Sequence, residues 1–535
     1  MRLYFKREKK QAGTHIQCIY ESGGGNAMNL PFVRSVCMFA LLAALGLGPG
    51  VSPAAGALEK VTDLDNAADV LTHGPIHEAF AESVALDPEP GIIVPKAPPD
   101  DIDEIPPTQK PEGDVDWIPG YWAWDDDQND FIWVSGIWRA VPPNRQWIPG
   151  YWIKVENGFQ WVSGYWALET EIDTQYLPEP PESVEAGPNV DAPTSNYGWV
   201  PGCWIWLQGR YVWRPGYWEI MRPNWVWVPD YYLWTPRGYI FVEGYWDFAV
   251  ARRGVLFAPV SFGIGITMVQ GYHFTPSVRI NLNVFSDCLF LRPGYHHYYF
   301  GDYYAVKYYR GGIYPWFSPH VKRHHYDPIY AHQRWKHRND RNWEKNLYAR
   351  YQDRRDNAAS RPPRSLHNVG KPGHKGTISK TPGRPSAALV LPVPKSKKSS
   401  SGFRSISETE RRRIDRQRRE VNQYRKSRQN WETRKPAQQH VRPFKTTKIN
   451  KVRLPKSPIA AKPNRQVDRQ QTPPNRYRVP KPDPTVEPLK RSFGGYQERN
   501  QGQSQGNRYR NEYSNRERAN NRGTGSKDNS RRLMR

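Results

Sequence analysis

Seven histidines crowd one stretch of this chain, His296, His297, His320, His324, His325, His332 and His337, and His320 and His324 are four residues apart with Asp327 close behind. Imidazoles in such numbers could ligate a metal, which needs donors converging from a fixed scaffold. Pro319 and Pro328 interrupt any helix that would align them, and the spacings follow no metal-ligand pattern, so a Tyr/His-rich surface segment is expected and no metal. Asp125, Asp127 and Asn129 open like a calcium loop, but Asp130 stands where that loop needs glycine and Gly136 where it needs a bidentate glutamate. An acidic hairpin loop is expected instead. No nucleophile elbow, phosphate loop, zinc-protease helix or dinucleotide glycine fingerprint occurs. The carboxylates lie mostly in linkers and turns, where none can be nominated as one of an acid–base pair. No catalytic residue and no cofactor is expected.

The remaining chemistry is aromatic. One six-residue pattern, Trp-x-x-Gly-x-Trp, recurs through residues 117–246 and holds 18 of the 22 tryptophans. A first block carries it as Trp117/Gly120/Trp122, Trp133/Gly136/Trp138, Trp147/Gly150/Trp152 and Trp161/Gly164/Trp166. A second carries Trp199/Gly202/Trp204 and Trp213/Gly216/Trp218, then two departures, WVPDYY from Trp227 and FVEGYW with Gly244 and Trp246. These rings could stack on sugars or pack against each other. Each buried ring of roughly 150–250 Å² is worth several kcal/mol at about 25 cal/mol/Å², and few aliphatic residues accompany them, so a structural role is favoured.

Motif starts 14 to 16 residues apart suit two strands per interval. Asn157-Gly158, Gln208-Gly209 and Arg237-Gly238 fall midway between motifs, where both central residues of a tight hairpin need positive φ. Proline-glycine inside the motif suits a type II turn. The motif itself is then a reversal, which would set Trp117 against Trp122 and likewise within each later copy. The expected fold is mainly β: tandem short antiparallel hairpins, a Trp-rich β-meander in two blocks, followed by a long disordered basic tail with at most one or two short helices.

Composition divides the rest. Residues 1–57 read as a targeting segment: Met28 is a plausible start, Arg34 precedes an apolar run, and small residues end near Ala57. Export is expected, to periplasm, envelope or outside the cell, with anchoring by residues 36–48 as the alternative. Cys203 and Cys288 would then be the cysteines of the mature chain, able to pair in an oxidising compartment. Residues 58–116 form an acidic, Pro-rich lead-in with one short helix expected near Pro75–Val84, and 169–198 an acidic linker between blocks 117–168 and 199–246. Residues 247–356 are a Tyr/His-rich extension, expected to pack on the second block, in which Trp343, Leu347 and Tyr351 share one helix face. Residues 357–535 lack the apolar content to offset the entropy of ordering; within them Ser407 and Glu410 resemble a capping box opening a solitary helix, 407–434.

Of the formal charge of +25, residues 51–200 carry 6 Lys/Arg against 27 Asp/Glu and residues 351–535 carry 47 against 14. Such a tail attracts polyanions by counterion release. For an exported protein these are an anionic polymer or the membrane and envelope surface; for an internal one, nucleic acid.

The copies WIPGYW, WVSGYW and WRPGYW resemble the bacterial WxxGxW (YxWGxW) repeat family of exported proteins. The resemblance implies an envelope or secreted location and a repeat architecture, and it carries over no catalytic residue. The expectation is a non-enzymatic, exported structural or interaction protein of the cell envelope. The alternatives are a carbohydrate- or cell-wall-binding module that uses exposed tryptophan faces, and a nucleic-acid-binding protein.

Overall fold

The computed structural model describes residues 4–9, 14–19, 68–171, 173–263, 271–319, 321, 325–366, 388–394, 402–434 and 450–462. Residues 28–57 of the expected export segment and much of the expected disordered tail lie outside these residues. Tyr4–Lys9 and Thr14–Ile19 form an antiparallel pair; everything below concerns residues 68–462.

Sixteen short strands carry the repeats. The first module comprises β1 (Asp116–Ile118), β2 (Tyr121–Asp125), β3 (Asp130–Val134) and β4 (Ile137–Arg139). The second comprises β5 (Arg145–Ile148), β6 (Tyr151–Val155), β7 (Gly158–Val162) and β8 (Tyr165–Leu168). The third comprises β9 (Tyr197–Val200), β10 (Cys203–Leu207), β11 (Arg210–Arg214) and β12 (Tyr217–Ile220). The fourth comprises β13 (Trp225–Val228), β14 (Tyr231–Thr235), β15 (Gly238–Val242) and β16 (Tyr245–Phe248). In every module the two middle strands form a hairpin and the two outer strands pair with each other as a second antiparallel ribbon.

This corrects the expected turn. The motif does not reverse the chain: its two central residues carry the backbone between the outer ribbon and the inner hairpin. The motif glycines Gly120, Gly136, Gly150, Gly164, Gly202, Gly216 and Gly244 are all absent from the positive-φ positions that a type II turn would require of them. Tryptophans consequently pair between motifs and not within them. Trp117 lies opposite Trp138 and Trp122 opposite Trp133, and the scheme repeats as Trp147 with Trp166, Trp152 with Trp161, Trp199 with Trp218, Trp204 with Trp213 and Trp227 with Trp246. Tyr232 and Phe241 replace the eighth pair. Ring centroids across the first two modules sit 5.0–5.5 Å apart in tilted or edge-to-face contact, an arrangement the aromatic quadrupole favours.

The reversals fall where turn residues stand between motifs. Gln208 and Gly209 both take positive φ (50° and 82°), as a type I′ turn demands. At the other two sites the loop is one residue earlier, and Gly158 and Gly238 open the returning strand with φ of 144° and 136°.

Three inner hairpins gain a further strand. Val260–Phe262 adds to β3, Ile93–Val94 to β7 and Asp173–Leu177 to β15. The acidic lead-in is therefore part of the body. Its residues 71–85 run through the interior, with Ile76, Ala79 and Phe80 almost fully buried, and adopt short strands and turns instead of the expected helix.

The extension forms a hairpin, Leu289–Arg292 with His297–Phe300, and helices α1 (Val306–Arg310), α2 (Pro328–Lys336) and α3 (Trp343–Asp356). Leu347 is buried on α3 and Tyr351 packs on Phe290 and Tyr304, the face read from the sequence. The extension touches both blocks: Gly254–Val255 pairs with β4, and His332 on α2 bonds the Pro223 carbonyl.

The expected tail helix is α4 (Glu408–Thr433), capped by the Ser407 hydroxyl, which accepts from the Glu410 N–H. It is not solitary. Ile414, Val421 and Tyr424 are buried against the body, and three neighbouring segments join as strands: Val390–Pro392 on Val278–Ile280, Phe403–Ser405 on Gln109–Pro111, and Asn450–Arg453 on Asp173–Tyr176. Acidic lead-in and basic tail meet within one chain, through Arg418–Asp103 (2.6 Å), Lys110–Glu410 (3.3 Å), Arg425–Asp101 (3.4 Å) and Lys462–Asp114 (2.6 Å).

Candidate functional site

Each motif glycine faces the ring of the first aromatic residue of the partner motif. A Cβ on Gly136 would lie 2.5 Å from the Trp117 ring, and one on Gly150 or Gly164 2.5 Å from Trp161 or Trp147. In the third module a Cβ on Gly202 or Gly216 would come within 2.4 Å of Trp213 or Trp199. Only glycine fits beneath the indole, which explains the motif without any turn.

The glycine N–H groups that this packing buries are collected by one carboxylate per module. Glu104 accepts from Gly120 (3.0 Å) and Gly136 (2.8 Å). Glu78 accepts from Gly150 (3.2 Å), Gly164 (3.1 Å) and the Trp161 indole (3.2 Å). Glu185 accepts from Gly202 and from the Trp199 indole (3.0 Å). Gly216 departs from this scheme: among the described residues no carboxylate accepts from its N–H, and its part in the motif is the close approach to Trp199 alone. In the fourth module Asp230 occupies a motif glycine position and accepts from Gly244 (2.6 Å). The departure WVPDYY thus builds the carboxylate into the repeat itself. The second module is also held from its carbonyl side: Arg428 of α4 donates to the Pro149 (3.0 Å) and Ser163 (2.9 Å) carbonyls while pairing with Glu432 (3.0 Å). A second buried ion cluster joins Arg139 and Arg253 to Asp247.

None of these carboxylates and guanidinium groups was singled out by sequence reasoning. Glu78, Glu104 and Glu185 stand among other acids in segments that read as lead-in or linker, and the one visible signal is Asp230 in a glycine slot.

Burial gives the clasps a pH signature. It pushes Glu78 and Glu104 up to about 7 and Glu82 up to about 8, against the hydrogen bonds that pull them down; it pushes His73 and His77 down to about 3 and His297 to about 4. Raised carboxylates hold their proton more tightly folded than unfolded, so the stability they add is complete below about pH 4.5 and is lost as pH rises through 7 to 8. The depressed histidines act oppositely: their contribution is complete above about pH 6.5 and is lost as pH falls toward 3 to 4. Stability is expected to rise by on the order of 2 kcal/mol from pH 8.5 to 6.5, to level while the two sets oppose each other, and to fall below pH 4.5. Denaturant midpoints across this range check it; a flat or falling midpoint between pH 8.5 and 6.5 would refute the buried-carboxylate assignment.

The other candidates resolve plainly. Asp125 accepts from the Asp127 and Gln128 N–H groups as a turn, and this acidic hairpin loop is neutralised by Arg292 on Asp126 and by Lys307 and Arg364 on Asp127 beside a cavity of about 130 Å³. His320 and His324 lie outside the described residues. His296 bonds the Glu89 carbonyl, His297 the Tyr121 hydroxyl, and His337 stacks on Trp343; among the described residues no group of acids, histidines or cysteines is placed to hold a metal. Cys203 and Cys288 are free, not paired. No helix among the described residues is long and apolar enough to cross a membrane.

The repeat tryptophans differ in burial, with Trp152 of the second module and Trp227, Trp234 and Trp246 of the fourth half-buried. Trp117, Trp133, Trp138, Trp147 and Trp166 are 0–2 % exposed, whereas Trp199, Trp204, Trp206, Trp213 and Trp218 of the third module are all half-buried, as is Gly216 between them. The acidic linker crosses that module: Trp204 donates to the Glu182 carbonyl and Trp218 to that of Val190.

A family model described as the WXXGXW repeat, two copies, matches residues 117–139, 147–167, 195–219 and 222–247. Each match spans one structural module, so the two copies are the two motifs whose tryptophans face each other. No curated protein and no solved structure matches the chain.

Proposed function

We propose that this WXXGXW-repeat protein is a non-enzymatic scaffold that is exported and serves as a structural or interaction component of the cell envelope. The observation that carries the reading is the inward use of its chemistry: paired indoles form the core, and the buried carboxylates are spent on motif N–H groups. The apolar run after Arg34 supports export, and the cationic tail supports attraction to an anionic polymer or membrane surface. A second reading, stacking on cell-wall carbohydrate, is favoured by the half-buried tryptophans, which are all five of the third module together with Trp152, Trp227, Trp234 and Trp246.

Tryptophan fluorescence of the full chain with acrylamide, before and after adding isolated cell-wall glycan, separates the two. The scaffold reading expects blue emission from the buried pairs, a quenchable fraction from the half-buried tryptophans of the second, third and fourth modules, and no response to glycan. A quenchable fraction that shifts with glycan would transfer the function to carbohydrate binding. Fractionation of cells tests export.

A further inference from the structure

The third module is the incomplete one. Its inner hairpin, β10 with β11, is the only one of the four without an added strand among the described residues. Val212 and Ile220 of this module, and Val184 and Val190 in the acidic linker that crosses it, are 39–62 % exposed and are four of the eight large apolar side chains exposed among the described residues. Three of four copies of one architecture fill this edge with an extended segment. The third module alone leaves the same edge without a strand among the described residues, the pattern of a docking edge.

We propose that the free edge of β11 takes an extended acidic segment of a partner protein as an antiparallel third strand. The register and the charge both follow from comparison of the modules. In a two-residue hairpin closed by Leu207 and Arg210, Tyr211 and Trp213 turn their N–H and C=O groups outward. Gly158 and Gly238 stand where the second and fourth modules admit the carbonyls of Val94 and Leu177, against which a Cβ would collide. The third module has Arg210 at that position, which excludes this register and leaves that of the first module, where Val260 lies opposite Trp133; the docked strand is therefore centred opposite Trp213. The same position in the first module is Asp130, whose charge is met by Lys96 of the lead-in at 3.1 Å and not by the added strand Val260–Phe262. Arg210 reverses that charge and is exposed, and its side chain makes no hydrogen bond or ion pair among the described residues, so the complementary group is a carboxylate. A second copy of this chain fits poorly: antiparallel pairing of two β11 strands about Val212 sets Arg210 against the other copy's Arg214.

This inference names the partner class for the interaction role proposed above and rests on that role only in assuming a partner. The test uses the full chain and three labelled heptapeptides: alternating Glu-Val, alternating Lys-Val, and alternating Glu-Pro, which has the acidic charge without strand propensity. Binding is read by anisotropy and by hydrogen-exchange protection of the Tyr211 and Trp213 amides. The Glu-Val peptide is expected to bind and to protect both amides, and the other two to bind at least tenfold more weakly. Arg210→Glu should weaken the Glu-Val peptide at least tenfold and favour the Lys-Val peptide, with unchanged melting, because the Arg210 side chain is exposed and unbonded. Equal binding of Glu-Pro, or binding indifferent to Arg210→Glu, would show general attraction to the basic chain and overturn the proposal. So would failure of Glu-Val to bind, or a concentration-dependent dimer that Arg210→Glu dissolves, since a second copy would then be the occupant. A glycan-shifted emission spectrum would sink the scaffold reading but leave these peptide outcomes to be decided separately.

Discussion

Ending the chain after residue 356 is expected to abolish its cooperative unfolding transition, whereas ending it after residue 462 keeps the transition. The short form loses Val390–Pro392, Phe403–Ser405, Asn450–Arg453 and the whole of α4, each paired or packed on the repeat body. With them go seven buried apolar side chains: Leu389, Phe403, Ile414, Val421, Tyr424, Leu454 and Ile459. At about 1.5–3 kcal/mol each, and after a discount of roughly 40% for compact unfolded chains, their sum of about 6–13 kcal/mol is comparable to the whole of the roughly 5–15 kcal/mol by which a domain is stable. Arg428 leaves as well, taking the donor that serves the Pro149 and Ser163 carbonyls inside the second module. Near-ultraviolet circular dichroism during thermal unfolding distinguishes the two forms: a sharp transition for residues 1–462, a broad or absent one for residues 1–356. Equal melting of both would mean that the ordered part of the tail contributes nothing to the body. The experiment also fixes how the tail's attraction to polyanions can be examined, since removal of residues 463–535 keeps every described residue of the chain.

The repeat was legible because its rule is local. Trp-x-x-Gly-x-Trp announces itself within six residues, its period predicts two strands, and Gln208-Gly209 takes the turn that its types demand. What pairs with what was not legible. A proline-glycine step permits a reversal and permits equally a crossing between two ribbons, and the choice is made by indole packing over glycine, a contact between residues well apart in sequence such as Trp117 with Gly136 or Trp199 with Gly216. The role of the acids was hidden for the same reason. Glu78 and Glu104 reach their glycines across 72 and 16 residues, so no window reveals them, and an acidic, Pro-rich context reads as solvated linker. Composition misled about residues 402–462 because the few apolar residues of α4 were judged by their number; Ile414, Val421 and Tyr424 are placed on one face, where a partner surface can use all of them.

Glu78→Ala is expected to cost on the order of 3–5 kcal/mol, and Gly150→Ala about 3 kcal/mol. Removing the carboxylate strands three buried donors, the Gly150 and Gly164 N–H groups and the Trp161 indole, at roughly 1–3 kcal/mol apiece before water relieves any of them. The glycine substitution acts from the opposite side: its methyl would stand 2.5 Å from the Trp161 ring and 2.7 Å from both Glu78 Oε1 and the Val162 carbonyl. A rigid indole and a backbone oxygen cannot both move aside without displacing the paired strands. Because the two residues act on one contact, their costs should not add; the double variant is expected to fall well short of the sum in denaturant midpoint. Gly209→Ala provides the contrast, since no atom lies within 4 Å of the added methyl and only its positive φ opposes it, at about 1 kcal/mol. Were Gly150→Ala no costlier than Gly209→Ala, the motif glycine would be a turn residue after all, and the clasp would have no claim to explain the repeat. The fourth module has already carried out the complementary change: with Asp230 in the glycine position, the carboxylate that the other modules import from acidic segments is supplied by the motif, and it accepts from Gly244 and binds Arg214 at once.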